Sequence, residues 1–259
     1  MEAKPEPPKV PSLPAVELVQ VPVTPWSGQV PALAITAPAR NQLIPVNKAA
    51  AFEIKLALKG GKLGDGGLRL CVVIDRRPCR RVDDLGRALR LGDIDASVDE
   101  GQHVITALVQ RGSGEFVRPS GKNAPVASHS FFVGKRVTPI HKDGSPMLFF
   151  SPPDPGPAPP EGVLIDFYVA NAEVAAGKYV VHASVGGPGI EKGVGISIHA
   201  QQPMRLRNAR PGEHLARLSL FHFESELGES KSLTTVTSTA KPAPGLFSEV
   251  TRTFQVTAR

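Results

Sequence analysis

The sequence predicts an all-β protein: two tandem antiparallel Greek-key β-sandwiches preceded by a Pro-rich extended segment. Three observations predict it. Ten of the 26 prolines fall in residues 1–45. No stretch sustains a 3.6-residue apolar period between helix caps, whereas short period-2 runs recur between Gly, Pro, Asp and Asn turns. The layout of those runs also repeats once along the chain.

The first element is the Pro-rich segment, residues 1–45. Proline at this density removes backbone donors and favours extended chain, so it is expected to act as a semi-rigid tether. Met1-Glu2-Ala3-Lys4 opens no apolar targeting run. Two settings fit: a cytoplasmic protein, or the mature form of a periplasmic or envelope protein with a lipid anchor upstream. A Pro-rich spacer before β-rich domains favours the second.

Residues 46–136 are expected to form the first sandwich and 137–259 the second. Leu68–Ile74 reads as a strand and Asp75-Arg76-Arg77-Pro78 as a turn. A hairpin centred on Asp75 sets Cys71 opposite Cys79, ready to pair. A two-residue loop at Arg76-Arg77 puts them out of register as free thiols. Arg76–Leu91 is nearest to helical composition, but Pro78, Gly86 and Gly92 limit it to one turn. Gly101-Gln102-His103, Gly177-Lys178-Tyr179 and Gly212-Glu213-His214 each start an alternating strand. Phe149 and Phe150 are expected to enter the second core, with the prolines after them forming a surface arch.

The repeat ties these elements together. Phe52–Leu58 matches Val163–Val169 at an offset of 111 (163 − 52), and Cys71–Ile74 matches His182–Val185 at the same offset. Gly101 falls on Gly212. Leu89–Asp93 matches Met204–Asn208 at 115, and Ser130–Val133 matches Thr253–Val256 at 123. Strands that keep register while connections vary in length are what a sandwich core demands. About seven short strands per copy, with turn signals at this spacing, specify a Greek-key sandwich.

These strand and turn motifs resemble those of bacterial immunoglobulin-like and fibronectin type III-like modules. The resemblance covers residues 46–259 and extends to envelope proteins and lipoproteins built from two such modules. It implies an Ig-like fold and a binding role. The inter-sheet disulfide and core Trp of antibody domains are missing, since the single Trp, Trp26, lies in the Pro-rich segment. The tyrosine-corner position holds His103 and His214.

Chemistry is sparse. Lys59-Gly60-Gly61-Lys62 and Gly187-Pro188-Gly189 lack the rest of a phosphate loop. Asp93–Glu100 has neither the Gly nor the Glu that an EF-hand loop requires. Seven scattered His form no zinc pattern, and no serine sits in a GxSxG elbow. No catalytic residue, metal site or cofactor is therefore expected, and the protein is read as a non-enzyme. His103 and His214 are expected to hydrogen-bond neighbouring connections at their strand starts. The net charge of +6 favours acidic partners. One Trp and two Tyr are too few for an aromatic sugar cleft or a stacking platform for nucleic acid. No run of 18 apolar residues predicts a membrane span.

Two features stand above this background. Arg76, Arg77, Arg80 and Arg81 lie in an Arg-rich stretch that forms either a basic strip for carboxylate or phosphate groups or a charged edge that blocks aggregation. Two long connections, Arg111–Pro125 with Arg118 and Lys122, and Glu224–Glu249 rich in Ser and Thr, precede the last strands. They sit where contact loops of variable domains sit. The expected function is a non-enzymatic envelope binding or scaffolding protein that contacts another macromolecule through loops and edge strands. The alternative is binding of an anionic glycan or lipopolysaccharide by the Arg strip. The partner is accordingly a protein or an anionic glycan of the envelope, not nucleic acid.

Overall fold

The computed structural model describes residues 13–64, 67–118, 125–222, 241–242 (backbone only) and 247–258. In chain order its strands are β1 (Glu17–Gln20), β2 (Ala32–Ala37), β3 (Leu43–Ile44), β4 (Glu53–Lys59), β5 (Leu68–Ile74), β6 (Arg80–Val82), β7 (Leu89–Arg90), β8 (Gly101–Arg111) and β9 (Val126–Val133). There follow β10 (Met147–Ser151), β11 (Gly156–Pro157), β12 (Val163–Ala170), β13 (Tyr179–Gly187), β14 (Ile190–Ile198), β15 (Met204–Arg207), β16 (Gly212–His222), β17 (Lys241–Pro242) and β18 (Glu249–Thr257). Helix among the described residues is one turn at Val46–Ala49 and a 3-10 turn at Leu91–Asp93. No helix of these residues is long and apolar enough to cross a membrane.

Four sheets enclose two cores. Sheet β2-β4-β7 faces sheet β3-β9-β8-β5-β6 across a core that includes Leu70, Val72, Ile74, Ile105, Ala107 and Phe131. Sheet β1-β15-β12-β10 faces sheet β11-β18-β16-β13-β14 across a core that includes Ile165, Phe167, Val181, Leu206, Leu218 and Phe254. Each repeat match lands on equivalent strands: β4 with β12, β5 with β13, β7 with β15, β8 with β16 and β9 with β18. In both copies the last strand also pairs in parallel with a two-residue strand, β3 on β9 and β11 on β18. The fold is the expected all-β, Ig-like sandwich architecture.

Residues 13–45 differ from the tether expected over residues 1–45, of which 1–12 lie outside the described residues. β2 and β3 belong to the first sandwich, and β1 pairs with β15 of the second. The prolines sit between these strands, where no ladder donor is needed: Pro22, Pro25 and Pro31 separate β1 from β2, and Pro38 precedes β3. Trp26 packs against the first core and stacks under the Arg111 guanidinium, 5.1 Å from the ring centroid. The Arg76–Leu91 stretch does not edge a single sheet, because β6 ends one sheet of the first sandwich and β7 ends the other.

A third apolar cluster joins the sandwiches. Cys71, Val73, Val104, Leu108 and Phe116 meet Met147, Phe149, Tyr168, Ala170 and Phe247. This explains why all seven residues of β5 are buried. Leu70, Val72 and Ile74 point into the first core, and Cys71 and Val73 point into the seam, so the strand is apolar throughout from Leu70 to Ile74. The same alternation divides the Phe pair: Phe150 enters the second core and Phe149 the seam. Cys71 and Cys79 are joined by a disulfide with Cα atoms 5.3 Å apart. Cys79 lies one position past the Val72↔Arg80 pair, in the turn that precedes β6.

Candidate functional site

Three of the six predicted basic residues, Arg76, Arg81 and Arg118, reach across the seam or its rim. Arg118 leaves the hairpin after β8 and meets Asp166 of β12. Its Nη1 donates to Asp166 Oδ2 at 2.9 Å, and its Nη2 bonds both Asp166 Oδ1 and the Phe167 carbonyl. The Phe116 and Phe167 backbone N–H groups donate to the same carboxylate at 2.7 and 2.8 Å. The side chains are 8% and 1% exposed. Burial pushes the Asp166 carboxyl above its usual range, while Arg118 and the two N–H groups pull it down. The pair is a pin: a bidentate ion pair with its remaining lone pairs satisfied, sealed among apolar side chains.

A second junction lies at the seam's rim. Arg81 donates to the Pro152 carbonyl at 2.8 Å and pairs with Asp154, and Arg69 donates to the other oxygen of Asp154 at 3.2 Å. Burial, then the neighbouring Arg69 charge, lowers the Arg81 pKa. Arg76 reaches the Glu249 carbonyl at 3.5 Å, and its own carbonyl accepts from Arg252 at 2.6 Å. Arg77 binds Asp95 at 2.7 Å within the first sandwich. Lys122 and most of the Glu224–Glu249 connection lie outside the described residues. The described part of the other connection is not an open contact loop: Phe116 and Val117 are each 1% exposed.

Arg76, Arg77 and Arg80 are all exposed, and of these Arg80 makes none of the inter-strand contacts above. It lines a groove of about 330 Å³ between β6 and β7 with Arg81, Arg87, Asp83, Asp84 and Asp93. Three guanidinium groups face three carboxylates there, so the groove carries no net basic charge.

Two histidine corners close the sandwiches. His103 Nε2 donates to the Asp99 carbonyl at 2.8 Å, and His214 Nε2 donates to the Arg210 carbonyl at 2.8 Å. Each ring stacks on a phenylalanine of the last strand, Phe131 or Phe254, at 5.4 Å. This is the strand-start role expected of both residues, and it reproduces what the tyrosine corner does with its hydroxyl. His103 differs in that Nδ1 lies 2.7 Å from Asp75 Oδ2. A carbonyl and a carboxylate can only accept, so this pair of partners favours the doubly protonated imidazolium over the neutral ring. Burial alone would lower its pKa, but the Asp75 bond and charge and the Asp99 carbonyl outweigh burial and raise it. In the second copy the position of Asp75 falls on Gly186, and Gly187 (φ +147°) lies so close to His214 that a Cβ would strike the ring.

Between the sandwiches, Gln102 clamps the connection. Its Oε1 accepts from Ile140 and His141 N–H at 2.7 and 2.9 Å, and its Nε2 donates to the His141 carbonyl at 2.8 Å and to Ser130 Oγ at 3.1 Å. The His141 ring is buried edge-on to Phe247 at 5.3 Å, and that burial lowers its pKa against the opposing pull of Asp143 and Asp75.

The open surface lies on the second sandwich. The outward face of β13, β16 and β18 carries His182, Ser184, Leu215, Arg217, Thr251 and Thr253, all exposed. Arg217 donates to Glu249 at 2.7 Å and Ser219 to the same oxygen at 3.3 Å. Beside this face, β14 pairs among the described residues only with β13 and leaves a nine-residue edge. Asp166, Asp154 and Arg69 were missed by sequence reasoning. The available signal was a single acid inside the apolar run Val163–Val169.

No protein-family model and no curated protein matches the sequence. Among solved structures the chain is similar to the fibronectin(III)-like modules of Clostridium thermocellum CbhA, at 12% identity over 87% of this chain and 94% of that one, with a TM-score of 0.27. It is also similar to the two tandem V-type regions of VCBP3, a v-region-containing chitin binding protein, at 10% identity over 89% and 100%, with a TM-score of 0.25. At such values no residue role passes from them to this chain, and the fold rests on the sheet topology described above.

Proposed function

We propose that the chain is a non-enzymatic binding and scaffolding module that presents the free face and the β14 edge of its second sandwich to another macromolecule. The observation that carries this reading is the seam. It locks two sandwiches together through an apolar cluster and the Arg118–Asp166 pin while leaving one sheet face and its longest open edge exposed. An open edge offers main-chain donors and acceptors, and the flanking hydroxyls, His182 and Arg217 supply specificity. The setting is extracytoplasmic, in the periplasm or envelope, which the Cys71–Cys79 disulfide supports because such bonds persist in oxidising compartments. The anionic-glycan alternative fits less well, because the Arg residues are engaged at the seam, paired with Asp95 or balanced by Asp83, Asp84 and Asp93.

The test is a cross-linking pull-down from envelope extract with the full chain and two surface variants, His182→Glu/Arg217→Glu and Arg80→Glu/Arg87→Glu. Loss of a specific partner in the first variant alone supports the reading. Salt-sensitive retention of glycan lost only in the second would replace it with the glycan alternative.

A further inference from the structure

β1 is a borrowed strand. It pairs antiparallel with β15, Glu17 opposite Arg207 through Gln20 opposite Met204, on a sandwich whose other strands begin at Met147. Val16 and Leu18 are 6% and 7% exposed and belong to the second core beside Leu206 and Val185. Two further bonds extend the contact: Asn208 Nδ2 donates to the Ala15 carbonyl at 2.8 Å, and Val21 N–H donates to the Pro203 carbonyl at 2.9 Å. Among the described residues the equivalent sheet of the first sandwich ends at β7 with no such strand. β1 is therefore an addition to an existing edge, made by the mode through which extended peptides join sheets.

Everything that seats β1 lies within residues 15–21, and any copy of the chain carries it. Pro14 and Pro22 bound the segment, so it cannot slide or lengthen its ladder. The connection Val21–Pro31 contains Pro22, Pro25 and Pro31; it bends at Gly28–Gln29, where Trp26 Nε1 donates to the Gln29 carbonyl at 3.1 Å. Its middle is fastened to the first sandwich: Arg111 donates to the Thr24 and Pro25 carbonyls at 3.0 and 2.8 Å, and Glu115 accepts from Thr24 N–H at 2.8 Å. The strand thus projects from one sandwich to complete another, over a short proline-bounded hinge at Val21–Val23.

We infer that β1 is an exchangeable donor strand and that two copies of this chain associate by each placing residues 15–21 on β15 of the other. Reciprocal exchange makes a closed, two-fold dimer whose contacts are those already present within one chain. Because the cis strand competes at high effective concentration, the dimer forms in proportion to protein concentration.

The experiment uses two full-length variants, Glu17→Cys and Arg207→Cys, which alter exposed register partners and add a reactive thiol beside the native disulfide. They are mixed in equal amounts over a concentration series and treated with a short thiol–thiol cross-linker. The expected result is a cross-linked heterodimer that increases with concentration and is lost when the Glu17→Cys chain also carries Leu18→Asp. Two results overturn the inference. One is no heterodimer at any concentration while a chain carrying both cysteine substitutions cross-links within itself. The other is a heterodimer unaffected by Leu18→Asp, which would place the association elsewhere.

Discussion

The same sheet face meets opposite fates in the two copies. In the first sandwich the outward side of β5 and β8 carries Cys71, Val73, Val104 and Leu108, all buried in the seam. The repeat offset of 111 sets these on His182, Ser184, Leu215 and Ser219 of the second, where the face is open. Register is preserved, since Cys71 opposes Leu108 as His182 opposes Ser219. The opposite sheets swap roles: Tyr168 and Ala170 of β12 dock in the seam, while their counterparts Ala57 and Lys59 of β4 face outward. Asp166, held by Arg118, corresponds to exposed Lys55. One backbone therefore offers two sheet faces per copy. Side-chain chemistry alone decides which face of each copy docks and which stays free, much as polar faces cap the ends of a repeat array.

The largest expected effect comes from breaking the docked face at its pin. Arg118→Met leaves the Asp166 carboxylate buried without its cation, and about 3–5 kcal/mol of stability should be lost, read by denaturant unfolding. Replacing both partners, Arg118→Met with Asp166→Leu, should recover much of that loss, since desolvation of the ion pair is then avoided. Next comes exchange of identity. Leu108→Ser gives the docked face the residue its counterpart carries at Ser219, and should cost about 3 kcal/mol by removing a buried side chain. Combined with Val73→Ser it should separate the sandwiches, seen as an increased radius of gyration in small-angle scattering. Ser219→Ala on the free face should change stability by less than about 0.5 kcal/mol.

The two histidine corners sharpen the comparison through pH. His103 is held charged by Asp75, so its folded pKa lies above the unfolded value of about 6.5. Its contribution is complete below that value and disappears as pH rises through the folded pKa. His141 has the opposite sign. Its folded pKa is lowered by burial, so stability declines as pH falls below about 6.5 towards the folded value. Unfolding measured from pH 5 to 9 should therefore show a maximum near neutrality. Asp75→Asn should remove the decline on the alkaline side and deepen the one on the acid side, because Asp75 also opposes the lowering of the His141 pKa. A decline that persists in Asp75→Asn would assign it to another group.

Much of this contrast was written in local sequence. β16 alternates apolar and polar residues from Ala216 to Leu220, as a half-buried strand must, whereas Leu68–Ile74 is apolar on both sides but for Arg69. The repeat was legible because equivalent strands keep the same inward-facing residues, and the histidine corners because a Gly-x-His start recurs. What could not be read was pairing between distant segments. Arg118 meets Asp166 across 48 positions, and nothing local separates it from exposed Arg80. Val16 and Leu18 were hidden among prolines, where a four-residue strand has too few alternations to stand out from extended linker. Arg residues in a turn look alike until the sheet that lies over them is known.

The smallest effect belongs to the free face, and it separates electrostatics from stability. Arg217 and Glu249 form an ion pair whose side chains are 60% and 39% exposed. The Arg217 bond, opposed by slight burial, holds the Glu249 carboxyl below its usual range. A depressed carboxylate contributes above its unfolded pKa and loses that contribution as pH falls through the folded one. Water screens this pair on both sides, so Arg217→Ala should alter unfolding free energy at neutral pH by no more than about 0.5 kcal/mol. The same substitution should move the Glu249 titration upward in an NMR pH series, because the bond that lowers it is gone. A large loss of stability from Arg217→Ala would mean that this face is packed against something in solution. The contrast between a docked and a free sheet would then no longer hold.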